Sequence, residues 1–107
     1  MTTEWMDVCP AETLAPGQWK AVDMDGTQVA VFNLDGDFHA IEDVCSHDGA
    51  CLTGLPIEGC EIICPRHEAR FNIKTGEALT PPAYDPVAVF AVQVCDGMIQ
   101  VRDDRWD

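Results

Sequence analysis

Cationic residues are scarce in this chain: six Lys and Arg stand against 19 Asp and Glu, a formal net charge of -13 over 107 residues. So acidic a surface repels phosphate backbones and anionic lipid, which excludes nucleic acid and membrane surfaces as expected partners. A leader-like start is also missing, because MTTEWMDVCPAE holds two acids before Cys9 and no basic patch followed by an apolar stretch. A cytoplasmic location is the expectation. The longest apolar stretch, Tyr84 to Val94, is interrupted by Asp85, Pro86 and Gln93, and it falls well short of the roughly 20 residues that span a bilayer. Sustained helical periodicity is absent; the best candidate, Pro10 to Ala15, is closed by Pro16-Gly17 and allows one turn at most. Repeats, linkers and low-complexity runs are lacking, as are a nucleophile elbow, a phosphate loop and a defensible catalytic carboxylate pair, so an enzyme is not expected. The length allows one domain, residues 1–107.

What the chain does have is turn chemistry. Asp-Gly occurs at 25–26, 35–36 and 96–97 between apolar segments, and this dipeptide favours tight hairpins because both residues tolerate positive φ. The segments around these turns predict strands at Trp19 to Met24, Thr27 to Asn33, Phe38 to Ile41, Ile57 to Cys60, Glu61 to Cys64, Ala69 to Ile73, Val87 to Val94 and Met98 to Arg102. An all-β, antiparallel domain follows.

Residues 42–82 have a different texture, rich in Gly and Pro, and hold four of the six cysteines and two of the three histidines. In a reducing cytoplasm such a count points to metal or redox chemistry rather than disulfides. Cys45-Ser46-His47 and Cys64-Pro65-Arg66-His67 each pair a thiol with an imidazole, with 16 residues between His47 and Cys64. One tetrahedral zinc could take these four donors. Zinc fingers, however, usually pair like with like, and mixed loops suit a two-iron cluster in which one iron takes both thiolates and the other both imidazoles.

These residues resemble the Rieske proteins, whose pattern is Cys-x-His, a spacer, then Cys-x-x-His. Pro65, Phe71, Thr75-Gly76 and Pro81-Pro82 are further similar to the bacterial Rieske ferredoxins that serve ring-hydroxylating dioxygenases. The resemblance implies a Rieske-like antiparallel β sandwich or barrel with an inserted two-loop cluster-binding subdomain at about 42–82. It also implies one [2Fe-2S] cluster per chain on Cys45, His47, Cys64 and His67. In the family's high-potential branch a further Cys on each loop forms a disulfide, and a Ser and a Tyr donate hydroxyl hydrogen bonds. Here Ala50, Arg66, Ala69 and Phe71 occupy the matching positions. Hydrogen bonds to cluster sulfur favour the added electron, so their loss implies a potential near the low end of the range from about -150 to +300 mV.

The resemblance therefore implies a soluble, monomeric one-electron carrier that accepts electrons from an NAD(P)H-dependent flavin reductase and delivers them to a terminal oxygenase. A small subunit of an NADH-dependent nitrite reductase-like complex and a zinc-stabilised interaction module are the rivals. Backbone N–H groups of Gly49, Gly54 and Gly76 are candidates to stabilise the reduced charge. Asp48, Arg66, Glu68 and Pro82 are candidate docking residues by their place in the sequence. Cys9, Cys51, Cys60 and Cys95 read as small packed residues, and His39 as a strand residue with an ordinary hydrogen bond. Trp5, Trp19 and Trp106 should pack the sheet or its ends, and Lys20, Asp23 and Asp25 should line a solvated strand face.

Overall fold

In a computed structural model of the chain, residues 5–24, 26–44, 57–64, 69–81 and 85–102 are described. Among them the elements run β1 (Met6–Pro10), a 3-10 turn (Ala11–Thr13), β2 (Trp19–Met24), β3 (Thr27–Leu34), β4 (Asp37–Glu42), β5 (Glu61–Ile63), β6 (Arg70–Asn72), β7 (Val89–Cys95) and β8 (Met98–Arg102). Six strands form one sheet in the order β1-β8-β7-β4-β3-β2, all pairs antiparallel, and β5 pairs with β6 in a second, smaller sheet. Contact between β1 and β2, the outer strands, makes the large sheet a nearly closed barrel. The all-β expectation holds.

The hairpin at 35–36 turns on positive φ at both residues, 55° at Asp35 and 96° at Gly36, and that at 96–97 likewise, 51° at Asp96 and 78° at Gly97. These values select the turn whose twist matches the flanking strands. Asn33 braces the first hairpin: its amide donates to the Leu14 carbonyl at 2.8 Å and accepts from the Gly36 N–H at 2.7 Å. The segment after the 3-10 turn is thereby held to β3.

β3 is apolar on both faces because it is buried on both. Val29 and Val31 point into the barrel with Met24, Ala40, Phe90 and Val101. Ala30, Phe32 and Leu34 point the other way and pack, with Ile41, against Ile62 and Phe71 of the smaller sheet and Ile73 just beyond it. Each fully buried Val, Ile or Phe contributes about 1.5–3 kcal/mol, so the outer face of β3 and β4 is what anchors the β5–β6 hairpin to the barrel.

Several expectations are corrected. Ile57 to Cys60 is not a strand: Gly59 takes φ 62° and the chain turns, with Glu58 bridged to Glu61 by N–H to O bonds of 3.0 Å in both directions. β1 was not expected; it forms by pairing with β8, with a bulge between Asp7 and Cys9. Cys9 is half-buried against the barrel core and Cys60 against the other cluster, but Cys95 is exposed at its hairpin rather than packed. Trp19 is 37% exposed at the start of β2, so it does not fill the sheet as expected, whereas Trp5 is half-buried with the Arg102 guanidinium 5.3 Å from its ring centre. Lys20 and Asp23 are exposed as expected. Trp106, Cys51 and Asp25 lie outside the described residues.

Candidate metal centre

The chain enters the first motif from a firmly held strand end. The Glu42 N–H donates to the Ala88 carbonyl at 2.9 Å on one side, and the Asp43 N–H to the Gln28 carbonyl at 2.7 Å on the other. Asp43 is only 2% exposed. These two bonds fix the backbone two residues before Cys45. Cys45 and His47 themselves lie outside the described residues, as do Gly49, Ala50 and Gly54.

The second motif grows from the β5–β6 hairpin. Glu61 pairs with Asn72, Ile62 with Phe71 and Ile63 with Arg70, and the ladder ends where the Cys64 N–H donates to the Ala69 carbonyl at 2.7 Å. Four residues, 65–68, span this closing pair; they include His67, Arg66 and Glu68 and lie outside the described residues, as does Pro82. Cys64, Ala69 and Phe71 are each 0% exposed and share one apolar cluster.

This burial tests the donor set. A thiolate is costly in apolar surroundings unless a cation compensates it, and iron or zinc supplies that charge. Burial of Cys64 is compatible with a metal-bound sulfur and equally with a small packed side chain, and Ala69 and Phe71 in the same cluster carry no hydroxyl. Among the described residues no three His, Cys, Asp or Glu side chains converge, and three of the four predicted ligands lie outside them.

A third segment lies along β6. The Leu79 N–H donates to the Arg70 carbonyl at 2.8 Å, the Arg70 N–H to Thr80 Oγ1 at 2.9 Å, and the Asn72 N–H to the Glu77 carbonyl at 2.9 Å. At Gly76, φ is 77°, its N–H donates to the Asn72 carbonyl at 2.7 Å and its carbonyl accepts the Val87 N–H at 2.8 Å. The Gly76 N–H is therefore committed to the turn, which corrects its expected role as a donor to the reduced centre.

Two groups near this hairpin carry charge effects that sequence reading missed or misjudged. Arg70 Nη1 donates to Glu58 Oε1 at 3.1 Å and Glu61 Oε1 at 3.3 Å, and the hydrogen bond and charge of Glu58, then those of Glu61, raise its pKa. The partners sit 12 and 9 residues away in sequence, so no local pattern reveals them. His39 lies on β4 opposite Phe32, and its Nε2 is buried with no hydrogen-bond partner, so the ordinary bond expected of it is not made through that nitrogen. Desolvation, then the Lys74 charge, lowers its pKa, with Asp37 opposing.

A barrel with an appended hairpin that ends in a buried thiol defines a small all-β protein. The chain belongs to the Rieske [2Fe-2S] domain family, whose profile matches residues 4–91, and a [2Fe-2S] cluster is the cofactor of that family. Ferredoxin CarAc of Metapseudomonas resinovorans is 34% identical over 106 residues, covering 98% of this chain and 99% of that protein. The 3-phenylpropionate/cinnamic acid dioxygenase ferredoxin subunit of Photorhabdus laumondii is 38% identical over 95 residues, 88% of this chain and 90% of that protein. A chain in the solved complex of reduced oxygenase and oxidised ferredoxin in carbazole 1,9a-dioxygenase is 34% identical, with a TM-score of 0.89 over 95% of both chains. These relatives are ferredoxin components, carriers of electrons rather than the catalysts of their systems.

Proposed function

We propose that this chain is the ferredoxin of a ring-hydroxylating oxygenase system: a soluble, monomeric, cytoplasmic carrier that takes electrons from a flavin reductase supplied by NAD(P)H and gives them to a terminal oxygenase. It acts as one domain, with residues 42–82 as the cluster-binding part and Cys45, His47, Cys64 and His67 as the ligands. The observation that carries this reading is the fully buried Cys64 thiol closing the β5–β6 hairpin, in a chain matched almost end to end by a ferredoxin.

When bound, a [2Fe-2S] cluster supplies a one-electron couple. The chain's own residues set the conditions for it. Cys64 provides a sulfur shielded from water, held in place by the Ala69 backbone bond. Ala69 and Phe71 keep hydroxyl donors away from that sulfur, which favours a low potential. Two neutral imidazoles, His47 and His67, complete the set; because they must bind unprotonated, the affinity of the site falls in acid. No helix among the described residues is long and apolar enough to cross a membrane.

The test is electron delivery. Reduced by NADH or NADPH through a flavin-containing ferredoxin reductase, the chain should be reoxidised on mixing with a ring-hydroxylating terminal oxygenase, and product should form only when all three proteins are present. Product formation at the same rate without this chain would contradict the reading.

A further inference from the structure

We propose that Arg70 is a positioning residue that ties the exits of the two ligand-bearing segments to each other and thereby sets how tightly the metal centre is held; the proposal rests on the carrier reading above. The first segment, beginning at Cys45, ends in the Glu58–Glu61 turn, which is closed by its own reciprocal backbone bonds. The second, containing His67, returns to described backbone at Ala69, and Arg70 is the next residue. The Arg70 main chain is held on both sides, by pairing with Ile63 in β5 and by the Leu79 N–H and Thr80 hydroxyl of the third segment. Its side chain then reaches outward, and the two N–H groups of Nη1 bond one carboxylate at each end of the turn, Glu58 at 3.1 Å and Glu61 at 3.3 Å. One residue is thus the junction of three segments around the candidate site.

The magnitude of such a pair decides which role it can have. The Arg70 side chain is 35% exposed and Glu58 61%, and solvent screens exposed pairs so well that they add little to overall stability. Backbone pairing and the apolar cluster already hold β5 to β6. What neither supplies is a side-chain link from the turn at 58–61 to the start of β6. An anchor at the roots of the ligand-bearing segments acts on how those segments hold their ligands rather than on overall stability. Losing a group that bonds a ligand directly costs about 10- to 100-fold in affinity, and Arg70, which bonds Glu58 and Glu61 instead, stands one step further out and acts below that range.

The test compares wild type, Arg70→Met, Arg70→Lys and the double variant Glu58→Gln/Glu61→Gln, each purified with its metal centre. Iron release to a chromogenic chelator, the electron paramagnetic resonance line shape of the reduced protein and the unfolding temperature are measured. The expected result is faster iron release in Arg70→Met and in the double variant, by up to about tenfold, the low end of what loss of a direct ligand partner costs, with broadened resonance lines and an unfolding temperature near that of wild type. Arg70→Lys should fall between, since a point charge replaces a fork that serves two acceptors. The double variant leaves Arg70 in place and decides the matter if Arg70→Met does not fold. Wild-type release rates and line shapes in the double variant would overturn the proposal, as would a lowered unfolding temperature without either change. A wild-type protein that binds no iron would instead overturn the carrier reading, and this proposal with it.

Discussion

Gly76 and Val87 meet backbone to backbone: the Gly76 carbonyl accepts the Val87 N–H at 2.8 Å, and a Cβ on Gly76 would collide with the Val87 carbonyl. The contact joins the turn that follows β6 to the segment that leads into β7 and back to the barrel. With φ at 77° and Val89 Cγ2 only 3.0 Å from the same Cβ position, no side chain fits without moving backbone. Gly76→Ala should therefore destabilise the protein by about 2 kcal/mol or more, from left-handed strain and overpacking together. Thermal or denaturant unfolding checks this, and a change below about 0.5 kcal/mol, the size of an ordinary surface substitution, would count against the contact.

Asn33 provides a second stability test. Its side chain is 4% exposed and satisfies both the Leu14 carbonyl and the Gly36 N–H. Asn33→Ala leaves a buried carbonyl without its donor, so a loss of about 1–3 kcal/mol is expected in urea unfolding.

His39 makes stability depend on pH. Its folded pKa lies below the ordinary 6.5, chiefly through desolvation, so the unfolded chain binds the proton more readily than the folded one. Stability contributed by neutral His39 is then full above pH 6.5 and declines as the pH falls from there through the lower folded value. His39→Gln should flatten this part of the profile, and Lys74→Ala should shift its midpoint to higher pH, because the Lys74 charge lowers the His39 pKa. The unfolding temperature, followed from about pH 7.5 to pH 5 across the ordinary histidine range, reads the difference between variants. Parallel profiles for wild type and His39→Gln would show that His39 does not titrate as argued.

Phe71 shares a buried cluster with Cys64 and Ala69. Phe71→Tyr would bring a hydroxyl into a region that lacks one, and a hydrogen bond to ligand or cluster sulfur should raise the reduction potential. Spectroelectrochemical titration of both proteins measures the shift; an unchanged potential would mean that Phe71 does not face the centre.

How much of this was legible in the sequence depends on where each feature gets its cause. The hairpins at Asp35-Gly36 and Asp96-Gly97 were readable because the dipeptide itself prefers the φ values it adopts. The strand at Met6–Pro10 was not, since its register and bulge come from β8, 88 or more residues downstream, rather than from its own residues. Ile57 to Cys60 looks extended by composition, but Gly59 reverses the chain there. At the site, the Cys-x-His and Cys-x-x-His spacings marked the candidate ligands directly; of these only Cys64 lies among the described residues, where it is buried. The junction at Arg70 and the orphaned nitrogen of His39 arise from tertiary contacts alone, so no local pattern could have exposed them.

The central claim is that this chain shuttles single electrons on a [2Fe-2S] centre, and anaerobic reductive titration of protein with quantified iron and sulfide tests it most directly. The account predicts two irons and two sulfides per chain, as the family's cluster requires, with a visible spectrum that bleaches after uptake of one electron. A colourless protein that binds zinc and accepts no electron would contradict it.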